Sequence, residues 1–205
     1  MFAAPTVSGN LLFIGSCAGK LYALNKQTGK EVWSYDTRVD GGPRSFHGDP
    51  LLYKGTLFIS TDHGCEGSYV YAFEQQTGKL RWKYRANGPS TGFARIGDAI
   101  IFGTREDEWI SVAMDSGKAN WTFRVASPDP QCEIRTSPVT DGRSVFFVTH
   151  DSAIVALNSS GRKIWTQRPS SLVTTSLFLY KNLLYFGAND RHIYGVKPAD
   201  GSPLV

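Results

Sequence analysis

The chain has 205 residues, a formal net charge of +4, and 41% hydrophobic and 13% aromatic content, enough apolar side chains to bury a core. Its charges are scattered, with no run of five of one sign, which points away from nucleic acid and from a basic membrane-surface patch; no apolar run approaches the roughly 18 residues that cross a bilayer, so no transmembrane segment is expected. Cys17, Cys65 and Cys132 are odd in number and widely spaced, which spells neither a zinc site nor a complete disulfide framework.

In chain order, the first elements are the short apolar runs "APTV", "LLFIG" and "LYALN", then the turn "KQTG" and a strand reaching Trp33. The apolar–polar alternation is that of half-buried strands. The same order returns as "DPLLY", "TLFIS" and "VYAFEQQTGKLRW", then as "GFARI", "AIIFG" and "SVAMDSGKANW". A fourth copy reads "TSPVT", "SVFFV" and "IVALNSSGRKIW", and a fifth reads "SLFLY", "LLYFG" and "IYGVKPADGSPLV".

Gly29/Trp33, Gly78/Trp82, Gly117/Trp121 and Gly161/Trp165 mark the repeat, with Trp spacings of 49, 39 and 44; Gly201 opens a fifth pair whose Trp position holds Val205. The glycine suits a turn that needs positive φ, and the Trp is a large wedge between neighbouring units. Strand, turn, strand, loop, strand, turn, strand (A to D) at this period predicts an all-β fold. The architecture is a β-propeller of about five four-stranded antiparallel blades, at approximately 3–36, 47–85, 92–125, 136–168 and 174–205. A single blade cannot cover its own faces, so neighbours must bury one another.

"LYALNKQTGKEVWSY" and "YAFEQQTGKLRWKY" resemble the repeat of the PQQ-like (quinoprotein-type) β-propeller family, with its Ala-Leu-Asn, Thr-Gly-Lys and Trp landmarks. The resemblance covers nearly the whole chain, is looser in the third copy and is truncated in the fifth. It implies seven or eight blades and an extracytoplasmic location, periplasm or cell envelope, although no signal peptide is visible. Five copies are fewer than that. Two expectations therefore stand side by side: part of a larger propeller or an open arc, and five blades that close without the common strand exchange.

Members of the family include pyrroloquinoline-quinone (PQQ) dehydrogenases, a non-catalytic outer-membrane assembly lipoprotein and sensory proteins, so the repeat leaves activity open. A dehydrogenase of this kind holds PQQ over calcium with oxygen ligands, and the resemblance would add an Asp base, a Trp platform and often a disulfide between adjacent cysteines. This sequence has no adjacent cysteines, and its Trp residues other than Trp109 fill the repeat position. The expectation is a non-catalytic interaction or scaffold module without cofactor or metal, which binds a protein or peptide. The alternatives are a PQQ- and calcium-dependent alcohol or sugar dehydrogenase, or its remnant, and the sensor domain of a longer protein.

The A–B and C–D turns are short and formulaic, whereas the B–C and D–A loops vary in length and composition. All four histidines, His47, His63, His150 and His192, fall in or beside the second set. Arg44, Arg105, Arg135 and Arg191 fall there too, as do Arg38, Arg85 and Arg168, and Asp151 sits beside His150. Arginine presents a planar fork of donors suited to carboxylates and peptide carbonyls and is enriched at interfaces. This B–C/D–A face is the candidate binding surface, with Trp109 as either an aromatic anchor or a blade-packing residue.

Ile14-Gly15-Ser16-Cys17 looks like a lipoprotein acylation box. Yet Met1 to Ser16 has no positive n-region, and Pro5 and Asn10 interrupt the apolar run. Aligning the repeats places Cys17 level with His150 and Asn189, which makes it a B–C loop thiol.

Overall fold

The computed structural model describes residues 4–42, 44–62, 67–88, 92–125 and 136–204. Two compact units, Met1–Gly92 and Phe93–Val205, are each built from successive antiparallel sheets. In the first unit, β1 (Thr6–Ser8), β2 (Leu11–Gly15), β3 (Lys20–Asn25) and β4 (Glu31–Asp36) lie side by side in chain order. A 3-10 turn, Thr37–Asp40, leads to β5 (Ser45–Phe46), β6 (Leu51–Tyr53), β7 (Thr56–Asp62), β8 (Ser68–Glu74) and β9 (Leu80–Ala86).

Both β5 and β6 pair with β7, Ser45 opposite Asp62 and Leu51 opposite Phe58. They are one strand A interrupted at residues 47–50, where Pro50 has no N–H to give the ladder. The sheet therefore begins at Ser45, ahead of the 47 that the repeat spacing suggested.

The second unit holds β10 (Ala94–Ile96), β11 (Ala99–Gly103), β12 (Glu108–Ala113) and β13 (Ala119–Arg124). Next come β14 (Val139–Thr140), β15 (Ser144–Val148), β16 (Ile154–Asn158) and β17 (Lys163–Gln167). The last sheet has β18 (Phe178–Tyr180), β19 (Leu183–Gly187) and β20 (Ile193–Val196), and its fourth strand is a single bridge from Val196 to Pro203.

The middle strands of the second, third and fourth sheets are buried on both faces, so they read as largely continuous apolar runs. In β15, Phe147 and Val145 pack with Trp109 and Ile101 of the third sheet, while Phe146 and Val148 pack with Leu184 and Phe186 of the fifth. The fourth strands are half-exposed edges, and β9 alternates Leu80, Trp82 and Tyr84 with the exposed Arg81, Lys83 and Arg85. The outer face of the fifth sheet carries exposed Phe178, Tyr180 and Ile193.

The Gly-x-x-x-Trp spacing has a geometric cause. In four sheets the C–D pairing skips one residue just before the turn, after Ala23, Ala72, Ser111 and Ala156. This bulge sets Trp33, Trp82, Trp121 and Trp165 opposite those small residues. The glycine then meets the Trp of the preceding blade. A Cβ on Gly78 would lie 2.5 Å from the Trp33 ring, one on Gly161 2.5 Å from Trp121, and one on Gly201 2.8 Å from Trp165.

Each indole N–H also donates to a carbonyl of that same turn: Trp33 to Gln75 at 3.0 Å, Trp121 to Ser159 at 2.9 Å and Trp165 to Pro198 at 2.8 Å. Gly29, Gly78, Gly117, Gly161 and Gly201 all have φ between +69° and +78°.

Candidate functional site

The A–B and C–D turns share one end of each sheet, where Lys26 N–H donates to Asn10 O, Gln75 to Gly55 and Met114 to Asp98, each at 2.9 Å. The B–C turns leave from the other end. Four of them, residues 16–19, 104–107, 149–152 and 188–191, have one backbone geometry.

The first residue's N–H donates to the carbonyl just beyond the turn: Ser16 to Lys20, Thr104 to Glu108, Thr149 to Ala153 and Ala188 to His192. The fourth residue donates back to the first and is left-handed, with φ of +81° at Gly19, +54° at Asp107, +62° at Ser152 and +69° at Arg191. The B–C loops thus differ in composition, but these four are equal in length. The second sheet's connection is the longer one, and its residues 63–66 lie outside the described residues.

Hydroxyls stabilise three of these turns. Ser16 accepts from Lys20 N, Thr104 from Glu106 N and Glu108 N, and Thr149 from Ala153 N. The Ser/Thr at this position was a signal available in the sequence, but it reads there as ordinary loop polarity.

The turns are also tied to the next blade, through the chain entering it or through its own B–C turn. Phe46 N donates to Ser16 O and Ser45 Oγ to Cys17 O; His150 N donates to Asp107 Oδ1; Val173 N donates to Ser152 Oγ. The second turn position is therefore structurally equivalent in the four turns, and it is held by Cys17, Arg105, His150 and Asn189. His150 and Arg105 are half-buried, and Arg191, His192 and Asp151 are exposed.

Two candidates take different roles from those expected. Trp109 is not a surface anchor: it is 0% exposed and stacked on Phe147, with ring centroids 3.8 Å apart. Its register partner is Gly103, which leaves room for the indole inside the blade contact. Arg44 points its donors inward, Nε to Gly67 O and Nη1 to Asp40 O and Gly42 O, with its guanidinium 5.1 Å over the Tyr69 ring. It staples the D–A loop. His63 and Arg135 lie outside the described residues.

Other arginines are neutralised locally. Arg168 pairs with Asp151, Arg124 with Glu108, and Arg38 with Asp36 at 2.7 Å. His192 lies 3.5 Å from Asp190.

Arg44 borders a polar centre that the sequence did not reveal. Asp40 Oδ2 accepts from the Tyr35 and Tyr71 hydroxyls at 2.8 Å each, its Oδ1 meets Lys83, and its side chain is 3% exposed. Burial pushes the carboxyl up, but the bonds from Lys83, Tyr71 and Tyr35 outweigh it and hold Asp40 below the usual carboxylate range. Burial and the Asp40 charge push both tyrosines far above the usual phenol range.

Asp107 behaves oppositely: burial raises its carboxyl, and the backbone bond from His150 only partly compensates. A carboxyl raised in the folded state takes up protons on folding, so its contribution falls as pH rises above about 4. Asp107→Asn keeps an acceptor, removes the buried charge, and suits φ +54°. Urea unfolding is expected to show a gain of about 0.5–1 kcal/mol at pH 7 that shrinks at pH 4. A loss at pH 7 would show that the carboxylate itself is needed.

Among the described residues no three His, Cys, Asp or Glu side chains converge as a metal ion requires. No helix among the described residues is long and apolar enough to cross a membrane.

Four-stranded antiparallel blades tied by tryptophan on glycine define a β-propeller repeat protein of the PQQ-like kind. The solved structure of BamB from Moraxella catarrhalis matches with a TM-score of 0.75 at 21% identity, covering 95% of this chain and 56% of that one. The quinohemoprotein alcohol dehydrogenase of Comamonas testosteroni matches with a TM-score of 0.74 at 14% identity, covering 99% and 42%. At those identities both likenesses show the fold alone.

The outer membrane protein assembly factor BamB of Shewanella oneidensis is 26% identical over 194 residues, 87% of this chain and 47% of that protein. The family described as outer membrane protein assembly factor BamB matches residues 2–204, and the chain belongs to it. The chain spans about half the length of the curated relatives it matches.

Proposed function

We propose that the chain is a non-catalytic protein-interaction module of outer-membrane protein assembly, acting outside the cytoplasm, and that the B–C/D–A end of its blades binds a protein or peptide partner. The observation that carries this reading is the set of B–C turns, one in the first unit and three in the second, with one backbone and different side chains at the second position. A display held by repeated hydrogen bonds loses little conformational entropy when a partner docks. Family membership supports the process; the set of turns supports the face.

The test is charge reversal of Arg105 and Arg191, with Lys26, Lys79 and Lys163 reversed as the opposite-end control. Arg44 is left intact because its donors hold the loop. Binding to purified components of the outer-membrane assembly machinery is expected to weaken at least tenfold for the arginine variant and to persist for the lysine variant. The reverse pattern would place the binding surface at the other end. A redox-active quinone retained after incubation with PQQ and calcium, with dye-linked alcohol oxidation, would overturn the non-catalytic reading.

A further inference from the structure

Three side chains, one of them at the second position of the first B–C turn, form a connected set in the first unit. Cys17 is an exposed free thiol at the second position of the first B–C turn. His47 lies in the break between β5 and β6, and its Nε2 is 3.6 Å from Cys17 Sγ. On the other side of the ring, His47 Nδ1 is 3.4 Å from Oδ2 of Asp62, the last residue of β7. The order is nucleophile, base and orienting carboxylate, with each ring nitrogen engaged by a different partner.

Packing and backbone bonds hold the three together. Phe46 N donates to Ser16 O at 3.2 Å and Ser45 Oγ to Cys17 O at 2.8 Å, so the segment carrying His47 is tied to the turn carrying the thiol. Gly15 lets β5 approach closely, since a Cβ there would lie 2.3 Å from Phe46 Cβ. Other charged groups on the surrounding elements are engaged elsewhere: Lys20 lies 4.0 Å from Asp36, and Asp49 accepts from Ala4 N at 3.0 Å. The break in strand A thus places an imidazole beside a thiol that the neighbouring blade supplies.

We propose that Cys17 is a thiol–disulfide exchange site, with His47 as its base and Asp62 as a positioning residue for the imidazole. His47 Nε2 takes the Sγ proton, and the thiolate attacks one sulfur of an external disulfide. The S–S bond of that disulfide breaks, a mixed disulfide forms at Cys17, and the departing thiolate takes the proton back from His47. One thiol is consumed and one released, so the step needs no other oxidant. The reacting partner is an accessible disulfide, small or on another protein; Cys17 belongs to the set of B–C turns, but the exchange needs no protein docking on them and is tested without it.

The test uses the full chain and oxidised glutathione at pH 7, with timed quenching and peptide mass mapping of Cys17. The reference is the isolated 11–25 peptide, which keeps the thiol's sequence neighbours and lacks His47. Cys17 in the folded chain is expected to form the mixed disulfide roughly tenfold faster or more, the scale of a positioned base. His47→Ala should fall to the peptide rate and recover with added imidazole, which a merely structural role would not produce. Asp62→Asn should lose part of the acceleration and Asp62→Glu should restore it. Equal rates in chain and peptide, or full speed in His47→Ala, would overturn the assignment. The chain-to-peptide comparison decides the matter even where a variant fails to fold.

Discussion

Trp33→Ala is expected to destabilise the first unit by about 3–5 kcal/mol, the range for removing a buried aromatic. Trp33 is 8% exposed, sits 5.8 Å from the Phe13 ring and 6.1 Å from Phe73, and donates to Gln75 O. Its loss opens a cavity between two sheets and leaves that carbonyl without the indole. Gly78→Ala should strike the same contact from the opposite side, because its Cβ would enter the Trp33 ring at φ +70°. Gly29→Ala is the control, since nothing lies within 4 Å of its Cβ; it should cost only the left-handed backbone penalty, about 1–2 kcal/mol.

In a double-mutant cycle, Trp33→Ala with Gly78→Ala should cost less than the sum of the single variants. Urea unfolding monitored by tyrosine and tryptophan fluorescence provides the measurement. Additive effects would show that the indole and the glycine do not share one contact.

Asp40→Ala should cost about 1–3 kcal/mol at pH 7, the scale for leaving buried hydrogen-bond donors unsatisfied. The substitution strands the Tyr35 and Tyr71 hydroxyls and removes the partner of Lys83. The effect should depend on pH with a defined sign. Because the folded carboxyl is held below its unfolded value, its contribution is complete above about pH 4 and disappears as pH falls through the folded value. The stability gap between wild type and Asp40→Ala should therefore narrow steadily below pH 4. A gap that stays constant from pH 7 to pH 2 would contradict the charged network.

The sheets were legible because their signal is repeated. Short apolar runs recurring in a fixed order placed β2, β3, β11, β12, β15, β16 and β19, and the Gly-x-x-x-Trp pair located the turn at which, within each unit, one blade grips the next. The bulge was hidden, since skipping Val32 or Ile164 leaves no mark in residue type. Trp109 was open to two readings because it stands outside the Trp pattern, and pairing with Gly103 resolves it into the core.

Arg44 illustrates the reverse problem. Loop arginines read as free donors, while carbonyls of the same loop are invisible acceptors in a sequence. The Asp40 centre and the Cys17–His47–Asp62 set both join residues from different blades, and local patterns do not report such meetings. Even so, aligning the repeats correctly placed Cys17 level with His150 and Asn189, in the turn geometry that the structure displays.

The most direct test of the proposed display face is site-specific photo-cross-linking from positions 105, 150 and 191, set against positions 26, 79 and 163, with purified outer-membrane assembly components. The account predicts partner adducts from the first set and none above background from the second. Adducts confined to positions 26, 79 and 163 would contradict it.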